Sequence, residues 1–341
     1  MMSNRDNSPL REEILGDIEK QLELQQKQKS KTQWVLIKPV LGLCLILFVA
    51  YAGLFISGRM RFETVFYQIS SPKTEERIRL VCLTDLHNWT FGKDNNDLVS
   101  RIDGLAPDLI LIAGDMVTSG NDDISSLVSL CGRLTDIAPV YYSFGNHENE
   151  MVYGEDLAPS FLEKYDDELF SENEEIADFE MIPMADSRLP DALTGEGVIL
   201  LNNKIDSIQV KDCQIDLAGL NMQSGAYYQY SSKMIEDFLS NKKENLKIII
   251  GHRPSLYDAI ATQHWLQYDL LFSGHTHGGI VRLPKIGGIV SPEGNGPWNG
   301  NSDSGLFNTN QGDVFLGRGL GNSNPVPRIC NTPELAVIDI D

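Results

Sequence analysis

Positive charge is scarce in this sequence of 341 residues. The 28 lysine and arginine residues are outnumbered by 48 aspartate and glutamate residues, which gives a formal net charge of −20. Non-specific binding to nucleic acid requires a basic surface, so the composition argues against that function. The five cysteines form no Cys-x-x-Cys pair, which argues against a zinc ribbon or a thioredoxin motif. An enzyme acting on phosphates stays compatible with this charge, because bound metal cations reverse the local field.

Histidine is also rare, and its distribution is uneven. Five of the six histidines lie in motifs that end apolar runs, and only His264 stands apart as an ordinary helix or loop residue. The most informative motif is Gly274-His275-Thr276-His277-Gly278-Gly279, which follows a predicted buried strand at residues 269–273. Two imidazoles in one glycine-flanked turn can face the same small volume, and neutral imidazole is a common ligand for transition metals.

A long apolar run lies near the N-terminus. Residues 39–57 carry no charge, and at roughly 1.5 Å per residue they can cross a bilayer core. We predict a single transmembrane helix there, after a partly helical arm at residues 1–38. More basic residues precede the span than follow it, which predicts a cytoplasmic N-terminus and a catalytic domain outside the cell membrane. Residues 50–52 resemble a signal-peptidase site, but the apolar run continues past them, which favours an uncleaved anchor.

From residue 61 onward, apolar runs typical of strands alternate with helical patterns. Residues 61–70 alternate like an edge strand, and later strands are predicted to end near residues 84, 113, 144, 250 and 273. Alternating strands and helices predict an α/β fold whose sheet is mainly parallel and covered by helices. In such sheets ligands bind outside the carboxyl ends of the strands. All five motifs fall at those ends.

Other segments carry weaker signals. Residues 148–197 are strongly acidic, and we interpret them as a solvated insertion of helices and loops within a domain at residues 61–341. Residues 278–312 are rich in glycine, asparagine and proline, and they are predicted to form an ordered loop near the site. Asp94 is predicted to cap a helix that continues to about Ile102.

Seven side chains of the motifs are potential metal ligands, and His147 remains as an eighth polar group. Carboxylate, imidazole and one amide oxygen suit Mn, Fe or Zn better than a soft metal. Seven ligands are too many for one ion, whereas two divalent ions that share one carboxylate would each receive four. Such a pair, about 3.5–4 Å apart, can hold both oxygens of an in-line phosphoryl displacement. The predicted ligands are Asp85, His87, Asp115, Asn146, His252, His275 and His277.

The motifs resemble those of the calcineurin-like metallophosphoesterases, in particular a membrane-anchored bacterial branch related to UDP-2,3-diacylglucosamine pyrophosphatase. The resemblance covers about residues 61–341. It implies a layered α/β sandwich in which two mixed β-sheets lie between helices. The matching blocks are Asp85-Leu86-His87, Gly114-Asp115, Gly145-Asn146-His147-Glu148, Gly251-His252 and Gly274-His275-Thr276-His277.

The resemblance also implies a role for each residue. One metal would take Asp85, His87, Asp115 and His277, and the other would take Asp115, Asn146, His252 and His275. Asp115 would bridge the two ions. His147 would either donate a proton to the leaving group or hold a phosphate oxygen. A surface or structural role is favoured over phosphate binding for three arginines, Arg253, Arg318 and Arg328.

The sequence therefore predicts a membrane-anchored phosphoesterase with two metal ions that hydrolyses a phosphodiester or pyrophosphate bond. Two alternatives stay open, a nuclease on the same fold and a catalytically silent metal-binding scaffold. Trp89 and Phe91 follow the first motif, and Trp298 lies in the long loop. Aromatic side chains at a membrane interface would suit an amphiphilic substrate. The alternative for Trp89 and Phe91 is that they only pack against the adjoining helix.

Overall fold

A computed structural model describes residues 8–154, 184–221, 238–239, 242–254, 267–283, 286–288, 304–323 and 325–341. The chain forms two compact units, Met1–Leu54 and Phe55–Asp341. Most of the predicted acidic insertion, together with His264 and Trp298, lies outside the described residues.

One long helix, α1 (Ser8–Met60), includes both the predicted N-terminal arm and the predicted membrane span. Its segment Ile37–Ile56 is long and apolar enough to cross a bilayer, and none of it is buried within the structure. Most of the large apolar side chains of this segment are more than half exposed, for example Leu45 and Phe48. Exposed apolar area of this extent is unusual for a surface in water.

The first of two large sheets contains six strands in the order β1-β14-β2-β3-β4-β5. Strands β2, β3, β4 and β5 are parallel to one another, and β14 is antiparallel to β2. Strand β1 lies at the edge, as the sequence predicted, and it pairs in parallel with β14. The bounds are β1 (Glu63–Ile69), β2 (Ile78–Leu83), β3 (Leu109–Ala113), β4 (Val140–Ser143), β5 (Ile199–Leu200) and β14 (Glu334–Ile340).

The second large sheet also has six strands, in the order β12-β13-β9-β8-β7-β6. Its four central strands are parallel, and the two outer strands, β12 and β6, are antiparallel to their neighbours. A separate short hairpin pairs β10 (Arg282–Leu283) with β11 (Gly287–Gly288). The bounds are β6 (Lys204–Val210), β7 (Cys213–Leu220), β8 (Leu246–Gly251), β9 (Leu270–Ser273), β12 (Gly305–Asn308) and β13 (Asp313–Leu316).

The core has separate layers because residues of one strand point alternately to opposite faces. Leu80 and Cys82 of β2 join the cluster that also contains Ile215 and Ile248 of the second sheet, so the two sheets pack face to face. Val81 and Leu83 point the other way, into a cluster formed with the helices. Strands buried on both faces need nearly continuous apolar runs, which is what the sequence shows. The predicted fold class, two mixed sheets with flanking helices, is confirmed.

The described helices of this unit are short. They are α2 (Asn96–Leu105), α3 (Ser125–Thr135), α4 (Asn146–Tyr153) and α5 (Arg188–Gly195). The prediction that Asp94 caps α2 is wrong, because Asp94 lies in a 3-10 turn before the helix. The buried side chain of Asn95 accepts a hydrogen bond from the Phe91 backbone N–H at 3.0 Å. This bond closes the turn, Asn95 is the cap residue, and α2 begins one residue later than predicted.

Trp89 and Phe91 are buried in the helical side of the core, with only 4% and 2% of their surfaces exposed. They belong to the same apolar cluster as Leu98 of α2, and the Phe91 ring makes an edge contact with Phe62 at 4.8 Å between centroids. The structure therefore supports the packing alternative for both residues.

Candidate metal centre

The five motifs follow directly after five parallel strands. Three motifs end β2, β3 and β4 of the first sheet, and two end β8 and β9 of the second sheet. Because both sheets direct the carboxyl ends of these strands to one place, side chains distant in sequence come together there. Three overlapping groups of aspartate and histidine result, each with ligand atoms close enough to hold a metal ion. Two of them are separate clusters, and the third, His87, Asp115 and His147, shares one residue with each.

The first cluster contains Asp85, His87 and His277, all of them buried. The Nε2 atoms of His87 and His277 are 3.3 Å apart, and Asp85 Oδ1 lies 3.6 Å from His277 Nε2. Asp85 is held in place by the backbone N–H of His275, at 3.1 Å from Oδ2, and by the Thr84 hydroxyl at 2.9 Å.

The second cluster contains Asp115, His252 and His275, which are also buried. His252 Nε2 lies 3.0 Å from Asp115 Oδ2 and 3.1 Å from His275 Nδ1. The other ring nitrogen of His252 lies 2.7 Å from the carbonyl oxygen of Ala113. A carbonyl can only accept, so Nδ1 carries a proton and donates, which turns Nε2 towards the cluster.

Asp115 connects the two clusters through one oxygen. Its Oδ1 accepts a hydrogen bond from the His147 backbone N–H at 3.0 Å. Its Oδ2 faces His252 Nε2 at 3.0 Å and His87 Nε2 at 3.9 Å. The oxygen that has no backbone donor therefore reaches a histidine of each cluster. The predicted role of Asp115 as a bridging ligand stays a prediction.

The backbone at the clusters adopts an unusual conformation. Five of the seven predicted ligands have a positive φ, between 47° and 69°, namely Asp85, His87, Asp115, His275 and His277. This left-handed region is uncommon for residues other than glycine, although aspartate and histidine tolerate it better than most. Such residues cost of order 1–3 kcal/mol each and cluster at functional sites, where the surrounding structure holds them.

Glu148 explains how two of the motif loops are held together. Its carboxylate is fully buried and accepts hydrogen bonds from the backbone N–H groups of Asp115, at 2.8 Å, and Met116, at 2.7 Å. It also accepts from the N–H of Gly145 and from the hydroxyl of Tyr142, each at 2.8 Å. Sequence reasoning recognised this acid as part of a motif but assigned it no role. The burial of its carboxylate and its hydrogen bonds to the loop of Asp115 can be seen only in the folded structure.

Two glycines are required by the close approach of the loops. A Cβ atom added to Gly145 would collide with Asp115 Oδ1, and one added to Gly274 would collide with Thr84 Oγ1. The Cβ at Gly274 would also lie 2.5 Å from Asp85 Oδ2. Both motif glycines therefore leave room for the carboxylate of a neighbouring motif.

Burial decides the charge of most imidazoles in the site. It lowers the pKa of His87 to about 3 and of His275 to about 2, and it holds the pKa of His277 well below its usual value. Burial also raises the pKa of Asp85 to about 6. Although burial opposes it, the Asp115 carboxylate raises the pKa of His252 to about 9. Burial would raise the pKa of Asp115, but the charge of His252 and the hydrogen bond with its ring prevail and lower it.

These residues fit a metal site by two tests. First, metal ligands must be deprotonated, and three of the four clustered imidazoles are neutral at physiological pH because of burial. Second, two nitrogens bound to one tetrahedral ion at about 2.0–2.1 Å lie roughly 3.3 Å apart. The two nitrogen pairs of the clusters are 3.3 Å and 3.1 Å apart. The clusters could therefore hold divalent metals.

The remaining predicted residues occupy different positions. Asn146 is the first residue of α4. The backbone N–H of the next residue, His147, donates to the Asp115 carboxylate. The role of Asn146 as a ligand stays a prediction. His147 Nε2 lies 3.9 Å from Asp115 Oδ2, and its side chain keeps 18% of its surface exposed.

The three arginines make different contacts in the structure. Arg318 forms ion pairs with Glu63 and Glu334, at 2.6 Å and 3.2 Å, and buried Arg328 donates to the backbone carbonyls of Gly321 and Arg318. A guanidinium nitrogen of Arg328 also lies 3.3 Å from His277 Nδ1. The preference for a surface or structural role over phosphate binding stays a prediction. Arg253 follows His252, and its charge reaches His275 and lowers the pKa of that ring further. Arg253 forms no hydrogen bond or ion pair with the described residues.

The layered fold and the two clusters at the strand ends define a metallophosphoesterase. Residues 78–279 match the calcineurin-like phosphoesterase family. The match extends over more than half of the chain, and the chain belongs to this family. The resemblance drawn from the motifs is thus confirmed, and so is the predicted enzyme class, a phosphoric ester hydrolase.

Several bacterial proteins are similar to this chain. An uncharacterized metallophosphoesterase of Campylobacter jejuni is 24% identical over 74% of this chain and 59% of its own length. The phosphodiesterase YaeI of Escherichia coli is 22% identical over 82% of this chain and 88% of its own. The UDP-2,3-diacylglucosamine pyrophosphatase LpxG of Chlamydia trachomatis is 25% identical over 76% of this chain and 83% of its own.

Proposed function

We propose that this protein is a membrane-anchored phosphoesterase with two metal ions that hydrolyses a phosphodiester or pyrophosphate bond. The observation that carries the proposal is Asp115, whose Oδ2 faces a histidine of each cluster. Similarity to a phosphodiesterase and to a pyrophosphatase supports the two bond types.

In this proposal each cluster holds one divalent ion. Asp115 would serve both ions through Oδ2. The first ion would bind Asp85, His87, Asp115 and His277, and the second would bind Asp115, Asn146, His252 and His275. Oxygen and imidazole ligands favour manganese, iron or zinc.

The chain's own residues then have distinct tasks. When bound, the two ions would polarise the phosphoryl group and make water a stronger nucleophile at neutral pH. Thr84 and the His275 backbone N–H orient the Asp85 carboxylate. Glu148 holds the loop of Asp115 against the loop of His147. His147 lies beside the clusters, with Nε2 3.9 Å from Asp115 Oδ2, and would donate a proton to the leaving group or hold a phosphate oxygen.

A turnover assay on the full-length chain in detergent tests this proposal. We expect hydrolysis of bis(p-nitrophenyl) phosphate that is lost on treatment with a chelator and restored by Mn²⁺. Two bound ions per chain, by metal analysis, should accompany activity. A protein that binds two ions but shows no turnover on phosphodiesters or pyrophosphates would instead be the metal-binding scaffold.

The nuclease alternative is tested with the same preparation. A net charge of −20 disfavours approach of a polyanion, so hydrolysis of single- or double-stranded DNA should be much slower than hydrolysis of the small phosphodiester. Faster cleavage of DNA would favour the nuclease.

Membrane anchoring is supported by the apolar segment Ile37–Ile56. The excess of basic residues before this segment supports a cytoplasmic N-terminus and a catalytic unit outside the cytoplasm. Only two residues separate the end of α1 at Met60 from the start of β1 at Glu63. A unit joined so closely to a membrane span would work near the lipid headgroups.

We further propose an amphiphilic substrate, such as a lipid-linked phosphodiester or pyrophosphate. The short connection between α1 and β1 supports this, as does similarity to a protein named for the substrate UDP-2,3-diacylglucosamine. The buried Trp89 and Phe91 give it no support. The test compares the lipid form in mixed micelles with its water-soluble headgroup analogue, and equal kcat/KM on both forms would contradict the proposal.

A further inference from the structure

His147 makes contacts at both ends of its ring. Its Nε2 lies 3.9 Å from Asp115 Oδ2, and the ring makes an edge contact with His87 at 4.9 Å between centroids. At the opposite end, Nδ1 lies 3.0 Å from the backbone nitrogen of Ser119 and 2.8 Å from the Ser119 hydroxyl oxygen. Ser119 lies in the loop after β3, five residues after Gly114, and no sequence motif indicated it.

The direction of one of these hydrogen bonds is determined by chemistry. The Ser119 backbone N–H can only donate, so His147 Nδ1 accepts. A neutral imidazole whose Nδ1 accepts carries its single proton on Nε2. The Ser119 hydroxyl oxygen lies 2.8 Å from the same nitrogen, and its O–H shares the single lone pair of Nδ1 with the backbone N–H. The contact therefore sets the orientation of the ring and turns an N–H group towards the metal clusters.

The loop that carries Ser119 is itself held firmly. Glu148 accepts hydrogen bonds from the N–H groups of Asp115 and Met116 at its start. The Thr118 N–H donates to the Asn88 side-chain oxygen at 2.7 Å, which ties the loop to the motif after β2. Ser119 is thus attached to the motif loops after β2 and β4. Because its loop is fixed by these hydrogen bonds, Ser119 can hold the His147 ring in one orientation.

We propose that Ser119 is a positioning residue that fixes His147 so that Nε2–H donates a hydrogen bond to a non-bridging oxygen of the phosphoryl group. This inference rests on the proposed phosphoesterase activity. It assigns His147 the role of a preorganised donor, which stabilises the charge that develops in the transition state. The rival role, delivery of a proton to the leaving group, becomes an outcome of the test.

The orientation of the ring can be measured without any activity. The full-length chain, labelled with 15N-histidine in detergent micelles, is observed by NMR in its metal-free and Zn²⁺-loaded forms, and the His147→Gln spectrum assigns the signals of His147. We expect a protonated Nε2 and an accepting Nδ1 in the wild type. Ser119→Ala keeps the backbone N–H and loses only the hydroxyl, so the same neutral form should persist with a weaker hydrogen bond at Nδ1, seen as a shift of the Nδ1 signal. A wild-type ring protonated on Nδ1, or an Nδ1 signal unchanged in Ser119→Ala, would overturn the proposal.

Kinetics then separates the two roles of His147. Ser119→Ala should lower kcat by roughly 5-fold, the effect of one hydrogen bond, with KM unchanged, and Ser119→Thr should restore it. The factor should be equal for bis(p-nitrophenyl) phosphate and for diphenyl phosphate, because a donor to a non-bridging oxygen is indifferent to the leaving group. Ser129→Ala, an exposed serine of α3, serves as the matched control.

Three kinetic results would count against the proposal. A loss confined to diphenyl phosphate, whose leaving group is poorer, would make His147 a proton donor. An unchanged kcat in Ser119→Ala would remove the positioning role. A wild-type chain without any phosphodiester turnover would overturn the proposed function and the donor role together, whereas the NMR measurement decides the ring orientation separately.

Discussion

At the scale of single residues, the two carboxylate oxygens of Asp115 have different partners. Oδ1 is occupied by the backbone N–H of His147, which leaves Oδ2 for both clusters. No other side chain of the proposed ligand set is assigned to two ions. A change at this residue should therefore affect both ions at once.

We predict that Asp115→Asn loses metal and activity together. An amide keeps the shape of the side chain but lacks the negative charge that two cations share. Metal analysis should find fewer than two ions per chain, and kcat should fall to the background rate. Asp103→Asn, an exposed carboxylate on α2, is the control and should change neither. Two bound ions with near-normal turnover in Asp115→Asn would refute the bridging assignment.

We predict that His147→Ala keeps both metals and lowers kcat. The ring is absent from the proposed ligand set, and loss of one preorganised donor costs about 10²–10³ in rate. His147→Gln should lose less, since its amide N–H can still donate. Metal content and kcat of both variants provide the measurement. Loss of metal from either variant would show that His147 is a ligand.

At the scale of secondary-structure elements, the loops after the strands are packed against one another with little space. Gly274 ends β9 and lies against Thr84 and Asp85, which end β2. The loop containing Gly321 adds a further layer, because the Leu320 N–H donates to the Thr84 carbonyl at 3.0 Å. The loops at the carboxyl ends of both sheets thus pack closely against one another at the site.

We predict that Gly274→Ala damages the first metal site more than the fold. The new methyl group would push against Thr84 Oγ1 and Asp85 Oδ2, so Asp85 must move from its position beside His277. Overpacking of this kind costs about 1–3 kcal/mol, and loss of the first ion should follow. Titration calorimetry with Mn²⁺ and urea unfolding of the metal-free protein measure the two effects. Wild-type affinity for two ions would contradict the prediction.

A buried ion pair links strands β7 and β8 away from the site. Asp216 and Lys247 are register partners in the two strands, and their side chains are 2.7 Å apart. Burial alone would raise the pKa of Asp216, but hydrogen bonds from Lys247, Ser207 and Asn245 prevail and lower it. A carboxyl group with a depressed pKa stabilises the folded state above its unfolded pKa of about 3.9. That contribution is lost as the pH falls through the folded value.

We predict that the difference in unfolding free energy between the wild type and Asp216→Asn is largest at neutral pH. It should decrease as the pH falls below about 4, because the wild-type carboxylate then becomes protonated as well. Urea unfolding of the metal-free proteins at a series of pH values measures this difference. A difference that stays constant through the acid range would show that the pair does not control the pH dependence.

At the scale of the whole molecule, a long helix with an apolar segment precedes the two-sheet unit in the chain. We predict that this unit is outside the cytoplasmic membrane, because the basic residues lie mostly before the apolar segment. Protease added to intact cells that produce the chain should degrade it, while a cytoplasmic marker survives. Full protection in intact cells, with cleavage only after lysis, would reverse the topology.

The sequence by itself determined the elements and the chemistry of this protein. Apolar runs located the strands that precede the site, and the edge position of β1 followed from its alternating pattern. Each motif directly follows its strand, so residue type and spacing were enough to identify the family and to predict the candidate ligands. These signals are local, and a local pattern can be recognised without knowledge of the fold.

Only the tertiary structure decided how these parts meet. Strand β14 enters the first sheet between β1 and β2, and no local pattern specifies such a pairing between distant segments. The same holds for the Ser119 contact with His147, for the four hydrogen-bond donors described around Glu148 and for the burial of Trp89. The positive φ of Asp85 and Asp115 belongs here too, since packing between loops imposes it against local preference. Contacts between residues far apart in the chain depend on all surrounding elements at once, and therefore only the folded molecule contains them.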